Sequence, residues 1–408
     1  MSPNKTLQGI HEAQVWPEGQ RVSSRAMHAA VFEAGWRSEE LMPRHREVVS
    51  GHDRGQGRCV ISLDWTLAHH DRGPKIYGVK WGYDYVKRRY GRFQTVLTTT
   101  GSNAKRVDGL EVEVQLAGSL EAEKAYLMAS AKQSYTSLEE ARQRLLGLLH
   151  HELHHKRYRK VTEMALAVVK QLAEEKHFSE ADYAFDNGIL HLDLCQFIEG
   201  CGKHWVSELE CSRNILWQGR WRRIDEVAVE LRRSHPESFR RLTYCTRTGD
   251  EKTCWVFSKA VRLKRYGKKR ILIGHEDPEL SDSPRFLVTD ALHWEGGRML
   301  TVWSYRWWSE LFHEFGKQGT GLESAQVRTE EAVKRHLRLS CVAQMMLQNL
   351  TLPVSTSERF KFAQGQTTFG QRMRKIIREL LQGLLAQAQQ AFSQGKAPAE
   401  VLASLMPA

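Results

Sequence analysis

Cysteine is scarce in this chain of 408 residues. There are seven, at Cys59, Cys195, Cys201, Cys211, Cys245, Cys254 and Cys341, an odd and scattered set without a Cys-x-x-Cys pair. That excludes a disulfide framework and a cysteine-rich zinc site, and fits thiols kept reduced in a cytosol. No apolar run approaches the roughly 18 residues that a membrane span needs. The N-terminal stretch MSPNKTLQGIHEAQVWPEGQ lacks the apolar core of a secretory signal. Internal repeats are also missing. What is present is an apolar fraction of 41%, enough for a sizeable core. At roughly 100–200 residues per domain the length suits two or three domains, or one core with a large insertion. Lys and Arg number 60 against 48 acids, a net charge of +12, beside 12 Trp and 11 Tyr. A soluble cytoplasmic protein with a polyanion partner is the expectation.

The apolar and polar patterning divides the chain. Two short helices are expected over residues 23–37 and 38–49, then a Gly-rich loop over 51–58. Residues 59–63 (CVISL) read as a buried strand ending on Asp64, followed by strands over 75–85, 93–100 and 111–116. The pattern is helical from Ser137 to about Lys176, with Ser137 and Glu140 as a capping box. A strand over 181–185, a helix over 189–199 and a strand over 204–209 follow. Residues 211–285 are rich in Arg, Lys and aromatics and alternate as strands do, which predicts a mostly β insertion. A strand over 285–289 leads into helices over 303–317, 330–350 and 368–392. The expected division is 1–58, 59–210, 211–285, 286–352 and 353–408. The fold class is α/β with a helical C-terminal region.

Three constellations could carry chemistry. The first is a match to H-E-x-x-H, His151-Glu152-Leu153-His154-His155, the spacing with which zinc hydrolases put two histidines one helical turn apart beside a general base. Its flanks, with Lys156, Arg157 and Arg159, make a polar, basic helix end, and the solvated helix is the plainer reading. The second is a pair of strand-ending acids, Asp64 and Asp186. Carboxylates at the ends of adjacent buried strands suit Mg²⁺ or Mn²⁺, although Asp is also common wherever a turn begins. The third lies in residues 303–317, where Arg306, Glu310, His313 and Lys317 recur at four, three and four, one polar stripe along a helix. An amphipathic helix with Arg–Glu support explains that stripe equally well.

Taken together, the order strand-Asp, strand-Asp, helix-Glu resembles the DDE transposases of bacterial insertion sequences. Arg306-x3-Glu310-x6-Lys317 is similar to the Arg-Glu-Lys part of the Tyr-Arg-Glu-Lys signature of one large group of them. The likeness spans roughly residues 59–350. It implies an RNase H-like core interrupted by the β insertion. Asp64, Asp186 and Glu310 are then ligands of two Mg²⁺ or Mn²⁺ ions, with Arg306 and Lys317 on DNA phosphates. It also implies strand cleavage and transfer at terminal inverted repeats, a homodimer on DNA, and a bacterial, nucleoid-associated location. Trp303 stands where the signature has its Tyr, so an aromatic ring remains without the hydroxyl. Only 58 residues precede the first core strand, short for the end-binding region of such enzymes, which implies a minimal or truncated copy. Among nearby acids, Asp71, Asp182, Asp193 and Glu314 lack the strand-end position or the Arg and Lys spacings.

Basic and aromatic clusters at residues 87–90, 220–223, 264–270 and 372–378 fit a DNA surface. The third, with Lys264, Arg265, Lys268, Lys269 and Arg270 on an expected hairpin, is the leading DNA contact. Two other functions stand beside the transposase: a DNA-binding descendant without catalysis, and a zinc hydrolase built on His151 and His155 of the H-E-x-x-H match.

Overall fold

The computed structural model describes residues 6–13, 22–52, 58–71, 73–116, 137–154, 158–247, 249–350 and 368–405. Most of the Gly-rich loop, the stretch 353–367 and His155 lie outside the described residues, as do the side chains of His151 to His154. Cα packing divides the chain into two compact units. One comprises Met1–His45, Lys75–Tyr77 and His313–Ala408, the other Arg46–Pro74 and Gly78–Phe312.

Helices, in chain order, are α1 (Leu7–Ala13), α2 (Ser24–His28), α3 (Ser38–Ser50), α4 (Leu138–His154), α5 (Val161–Glu175) and α6 (Leu192–Gly200). They continue with α7 (Ile224–Ser234), α8 (Gly296–Ser304), α9 (Trp307–Phe315), α10 (Glu330–Asn349), α11 (Phe369–Ser393) and α12 (Pro398–Leu405). Strands are β1 (Val60–His69), β2 (Lys80–Asp84), β3 (Arg89–Ser102), β4 (Val107–Val114), β5 (Asp182–Phe185) and β6 (Trp205–Glu208). After them come β7 (Asn214–Trp217), β8 (Arg220–Arg223), β9 (Arg240–Cys245), β10 (Glu251–Leu263), β11 (Gly267–His275) and β12 (Arg285–Thr289).

All these strands belong to the second unit and form one sheet. β3 runs antiparallel to β1, and β4 antiparallel to β3. β5 is parallel to β1, and β6 parallel to β5. The order β4-β3-β1-β5-β6, with three antiparallel strands followed by two parallel ones, is the RNase H topology. The central strands read as continuous apolar runs because both faces are covered: Val60, Ile61 and Leu63 are fully buried, as are Ala184 and Phe185. The crossover from β4 to β5 includes α5, whose buried Met164, Ala165, Val168, Val169 and Leu172 make one apolar face.

Residues 211–285 are mostly β, as expected, and they stay in the sheet: β12 pairs antiparallel with β6, β11 with β12, and β10 with β11. They also contain α7, which the strand-like composition concealed. Its Ile224, Val227, Ala228 and Leu231 are buried at helical spacing. A core cluster joins Val60, Ala184, Val206, Leu272 and Leu287 of the inner strands to Met299, Leu300, Val302 and Trp303 of α8. α8 is therefore seated on the sheet.

The other unit is helical. Its Arg335 on α10 donates to the backbone carbonyls of Val31, Ala34 and Trp36 and to Glu331. Glu331 in turn accepts the Ser38 N–H at 2.7 Å.

Within the sheet unit, Arg46 near the end of α3 is fully buried. It forks onto both oxygens of Glu175 at 2.7 Å and reaches Glu111 at 2.8 Å. Removing it leaves two carboxylates without their cation. Arg46→Ala should therefore cost about 3–5 kcal/mol in urea unfolding. A loss below about 1 kcal/mol, the range of an exposed pair, would contradict the burial.

Candidate metal centre

Asp64 lies in the middle of β1 rather than at a strand end, as the residue pattern had suggested. The last parallel pair between β1 and β5 is Leu63 with Phe185. β1 then runs on against β3 alone, Asp64 pairing with Thr98 and His69 with Phe93. The strand end that exposes a carboxylate belongs to β5: Asp186 is the next residue. Its Oδ1 accepts the Ile189 N–H at 3.0 Å, and its carbonyl accepts the N–H groups of Ile189 and Leu190. This is the aspartate turn that ends a strand. Matching positions on adjacent parallel strands thus carry the two acids.

The third acid comes from a helix whose course differs from expectation. Residues 303–317 are not one helix. α8 ends at Ser304, whose hydroxyl donates to the Thr301 carbonyl at 2.7 Å, a back-bond that competes with the helical ladder. Across the break the N–H groups of Tyr305, Arg306, Trp308 and Ser309 bond three residues back instead of four. That is a 3₁₀-like tightening. Trp303 and Tyr305 stay buried in the core beneath it. α9 then starts at Trp307, and beyond it residues 316–320 form a π turn. The polar stripe therefore runs over three segments: Arg306 in the turn, Glu310 and His313 on α9, and Lys317 in the π turn. Lys317 pairs with Glu323 at 3.0 Å.

Arg306 joins the acids. Its Nη1 donates to Asp64 Oδ2 at 2.7 Å and to Glu310 Oε1 at 3.2 Å, and its guanidinium carbon lies 5.0 Å from the centre of the Trp303 ring. A carboxylate oxygen of Asp64 lies within 4.8 Å of one from Glu310. α9 is anchored to β3 by the buried Thr100 and Ser309 hydroxyls, 3.1 Å apart. Its Trp308 lies under the Arg247 guanidinium, 3.9 Å from the ring centre. The Thr100–Ser309 anchor was missed at the sequence level. Its signal is a lone Ser inside the aromatic run from Trp307 to Phe312.

Burial raises the Asp186 carboxyl above its ordinary range. Arg306 and the N–H groups of Ile189 and Gly188 oppose that rise without cancelling it, and Glu310 adds to it. Gly188 is close-packed: a Cβ there would lie 3.2 Å from Trp65 Nε1 and 3.4 Å from Asp186 Oδ1. Two converging carboxylates, with a third carboxyl that burial raises, suit a hard divalent cation.

The expected phosphate contacts at the β10–β11 tip divide. Lys264, Arg265 and Lys268 are exposed on a turn where Arg265 and Gly267 adopt φ of 76° and 79°. Lys269 is buried and ion-paired to Glu199 at 3.0 Å. Arg270 donates to the Leu292 carbonyl at 2.9 Å. Strand alternation sends Lys269 inward.

No family model and no curated protein matches the chain. Among the solved structures with weak similarity are two nucleic-acid enzymes. A piggyBac transposase synaptic complex with hairpin DNA has a TM-score of 0.38 and 11% identity, over 84% of this chain and 55% of that one. The NurA nuclease from Sulfolobus solfataricus has a TM-score of 0.25 and 10% identity, over 76% and 93%. The chain thus spans about half the length of the piggyBac transposase. Neither similarity is close enough to assign a family. Among the described residues no helix is long and apolar enough to cross a membrane.

A carboxyl whose folded pKa stands above its unfolded value weakens the fold as pH rises through that window. Asp186→Asn removes the ionisable group and keeps the oxygen that accepts from Ile189. In EDTA the variant should melt above the parent at about pH 8. The gap should close as the pH falls through the raised folded value of the parent carboxyl. A lower melting temperature at about pH 8 would contradict the burial of this acid.

Proposed function

We propose that this protein is a DNA transposase of the DDE type, which cleaves and transfers DNA strands at the ends of an insertion sequence. Asp64, Asp186 and Glu310 hold Mg²⁺ or Mn²⁺. The observation that carries this reading is the Arg306 guanidinium bonded to Asp64 on β1 and Glu310 on α9, beside the strand end that presents Asp186. In support of this reading, Arg306 joins acids of two distant segments on a core of RNase H topology, and the charges of Arg306 and Glu310 both act on Asp186.

The roles follow from the geometry. Asp64 and Glu310 supply converging oxygens, and Asp186 supplies a carboxyl that burial holds above its ordinary range and that a bound cation would bring down. When bound, a pair of divalent cations polarises the scissile phosphate and lowers the pKa of the attacking hydroxyl. Arg306 already holds two carboxylates with one nitrogen, and the rest of its fork is suited to a phosphate oxygen. Lys317 is assigned to the same phosphate group of contacts. The exposed Lys264, Arg265 and Lys268 add salt-dependent, sequence-indifferent attraction to the DNA backbone. A homodimer on paired inverted repeats, with target DNA as second substrate, completes the proposal. The division into a core of 59–210 and 286–352, an insertion of 211–285 and a basic tail belongs to it as well.

The test is cleavage of linear DNA carrying the inverted repeats that bracket the coding region, with Mg²⁺ or Mn²⁺ added. Strand breaks at the repeat ends are expected. Asp64→Asn and Glu310→Gln should each cut the rate on the order of 10³-fold, the several kcal/mol that metal-ion stabilisation supplies. Full activity of Asp64→Asn would overturn the site. Repeat binding without cleavage under either metal would overturn the enzyme and leave a DNA-binding protein.

A further inference from the structure

Outside the carboxylate cluster, the hairpin of β2 and β3 displays an unusual amount of aromatic surface. The register sets Trp81 opposite Arg92 and Tyr83 opposite Tyr90, so strand alternation puts all four on one face. Trp81 is 65% exposed, Tyr90 64% and Tyr85, in the turn, 81%. The Trp81 and Tyr90 rings are nearly parallel, with centres 6.4 Å apart and planes at 15°. Tyr83 meets Tyr90 and Tyr85 edge-on at 5.3 and 5.0 Å. The Arg92 guanidinium sits 5.7 Å from the centre of the Trp81 ring. A cleft of about 240 Å³ opens beside them, lined by Trp81 and Tyr90 together with Lys87, Arg89 and Arg92.

This display is braced. Asp84 is buried and accepts the N–H groups of Val86 and Lys87 at 2.8 and 3.1 Å, with His69 at 2.7 Å. A hairpin held this firmly keeps several rings in water, although burying them would stabilise the fold. Clustered apolar surface of that kind marks an interaction site.

We propose that the β2–β3 hairpin is a stacking platform for unpaired nucleotides of a DNA strand. Every base offers a π-face to an exposed ring, and the cations interleaved with the rings meet the phosphates between bases. A closed duplex hides its base faces. A membrane surface fits less well, because Val86 is the sole aliphatic side chain of the turn from Asp84 to Tyr90. The proposal rests on the DNA-processing reading but uses none of its catalytic residues. β3 links the two places. Thr98, the partner of Asp64, lies eight residues beyond Tyr90 on one continuous strand. At about 3.4 Å per residue that is about 27 Å, or about eight nucleotides of one DNA strand. The unpaired stretch is expected within that reach of the cleaved phosphodiester.

The test measures equilibrium binding of the full chain in EDTA, so cleavage does not enter. The probes are a fluorescent 20-mer of oligothymidylate, a duplex of equal length, and phosphatidylcholine–phosphatidylserine vesicles. Trp81→Ala/Tyr90→Ala should weaken oligothymidylate binding at least about tenfold, the low end of what two lost base stacks remove. Duplex affinity should change less than about threefold. Trp81→Phe/Tyr90→Phe, which keeps the rings, should retain oligothymidylate binding and rules out a folding defect. Equal losses on both DNAs, or no loss, would overturn the platform. So would vesicle binding that the alanine pair abolishes while oligothymidylate binding persists. A chain that binds through the platform yet cleaves nothing defeats only the transposase reading.

Discussion

The short parallel contact between β1 and β5 is the constraint from which the site follows. It lasts from Val60 with Asp182 to Leu63 with Phe185, and then β5 turns away while β1 continues beside β3. Adjacent strands stand about 4.8 Å apart, so the residues just past the last pair, Asp64 and Asp186, are held close by backbone hydrogen bonds. Two acids so placed, with Glu310 brought against them, repel one another when ionised. Arg306 offsets part of that repulsion and bonds two of the three. The Asp186 carboxyl is raised first by its burial, with Glu310 adding to it, and Arg306 does not cancel that rise.

Arg306 is held in place by the apolar core. Met299, Val302 and Trp303 seat α8 on the inner strands, and Tyr305 is buried just beyond. The tightened turn at residues 305–306 then swings the next side chain out of the core and onto Asp64. Past the turn, the Thr100–Ser309 contact fixes α9 to β3, the same strand that pairs with Asp64 on its other edge. Packing and chemistry are coupled here. A change in the volume of the α8 core shifts the guanidinium that keeps the carboxylates together, without touching any acid.

Much of this was legible in the residues. The run CVISLD, the turn FDNG and the spacing from Arg306 to Glu310 are local signals, and each marked an element that exists. What failed to show were effects of long-range pairing. β1 continues past Asp64 because β3 supplies a partner 34 residues away, and no local signal foretells that. The break at Tyr305 carries neither Pro nor Gly. It arises from the Ser304 back-bond and two buried aromatics, which a periodicity count treats as an unbroken helix. Lys269 reads as one more cation of a basic loop, yet the β10–β11 register turns it inward to Glu199. α7 was hidden by its surroundings, since Arg220 to Arg223 and the strands on either side dominate that stretch.

The fate of Lys269 bears on how the surplus of +12 should be understood. Several of the 60 cations are structural: Arg46 is taken by Glu111 and Glu175, Arg335 by Glu331, Lys269 by Glu199. These pairs withdraw acids and bases together, so the imbalance is left to the outer surface. Arg247 differs, being buried against Trp308 and the Asn103 carbonyl, and burial pushes its guanidinium down to about 10. Exposed cations then gather at two hairpin tips of the same sheet, residues 87–89 between β2 and β3 and residues 264–268 between β10 and β11. One tip is interleaved with exposed rings, whereas the other exposes Lys264, Arg265 and Lys268 around a half-buried Tyr266. A uniform cationic coat would attract any polyanion equally along its length. Tips of different chemistry on one rigid sheet instead favour a partner that changes along its length, paired where it meets charge alone and unpaired where it meets rings.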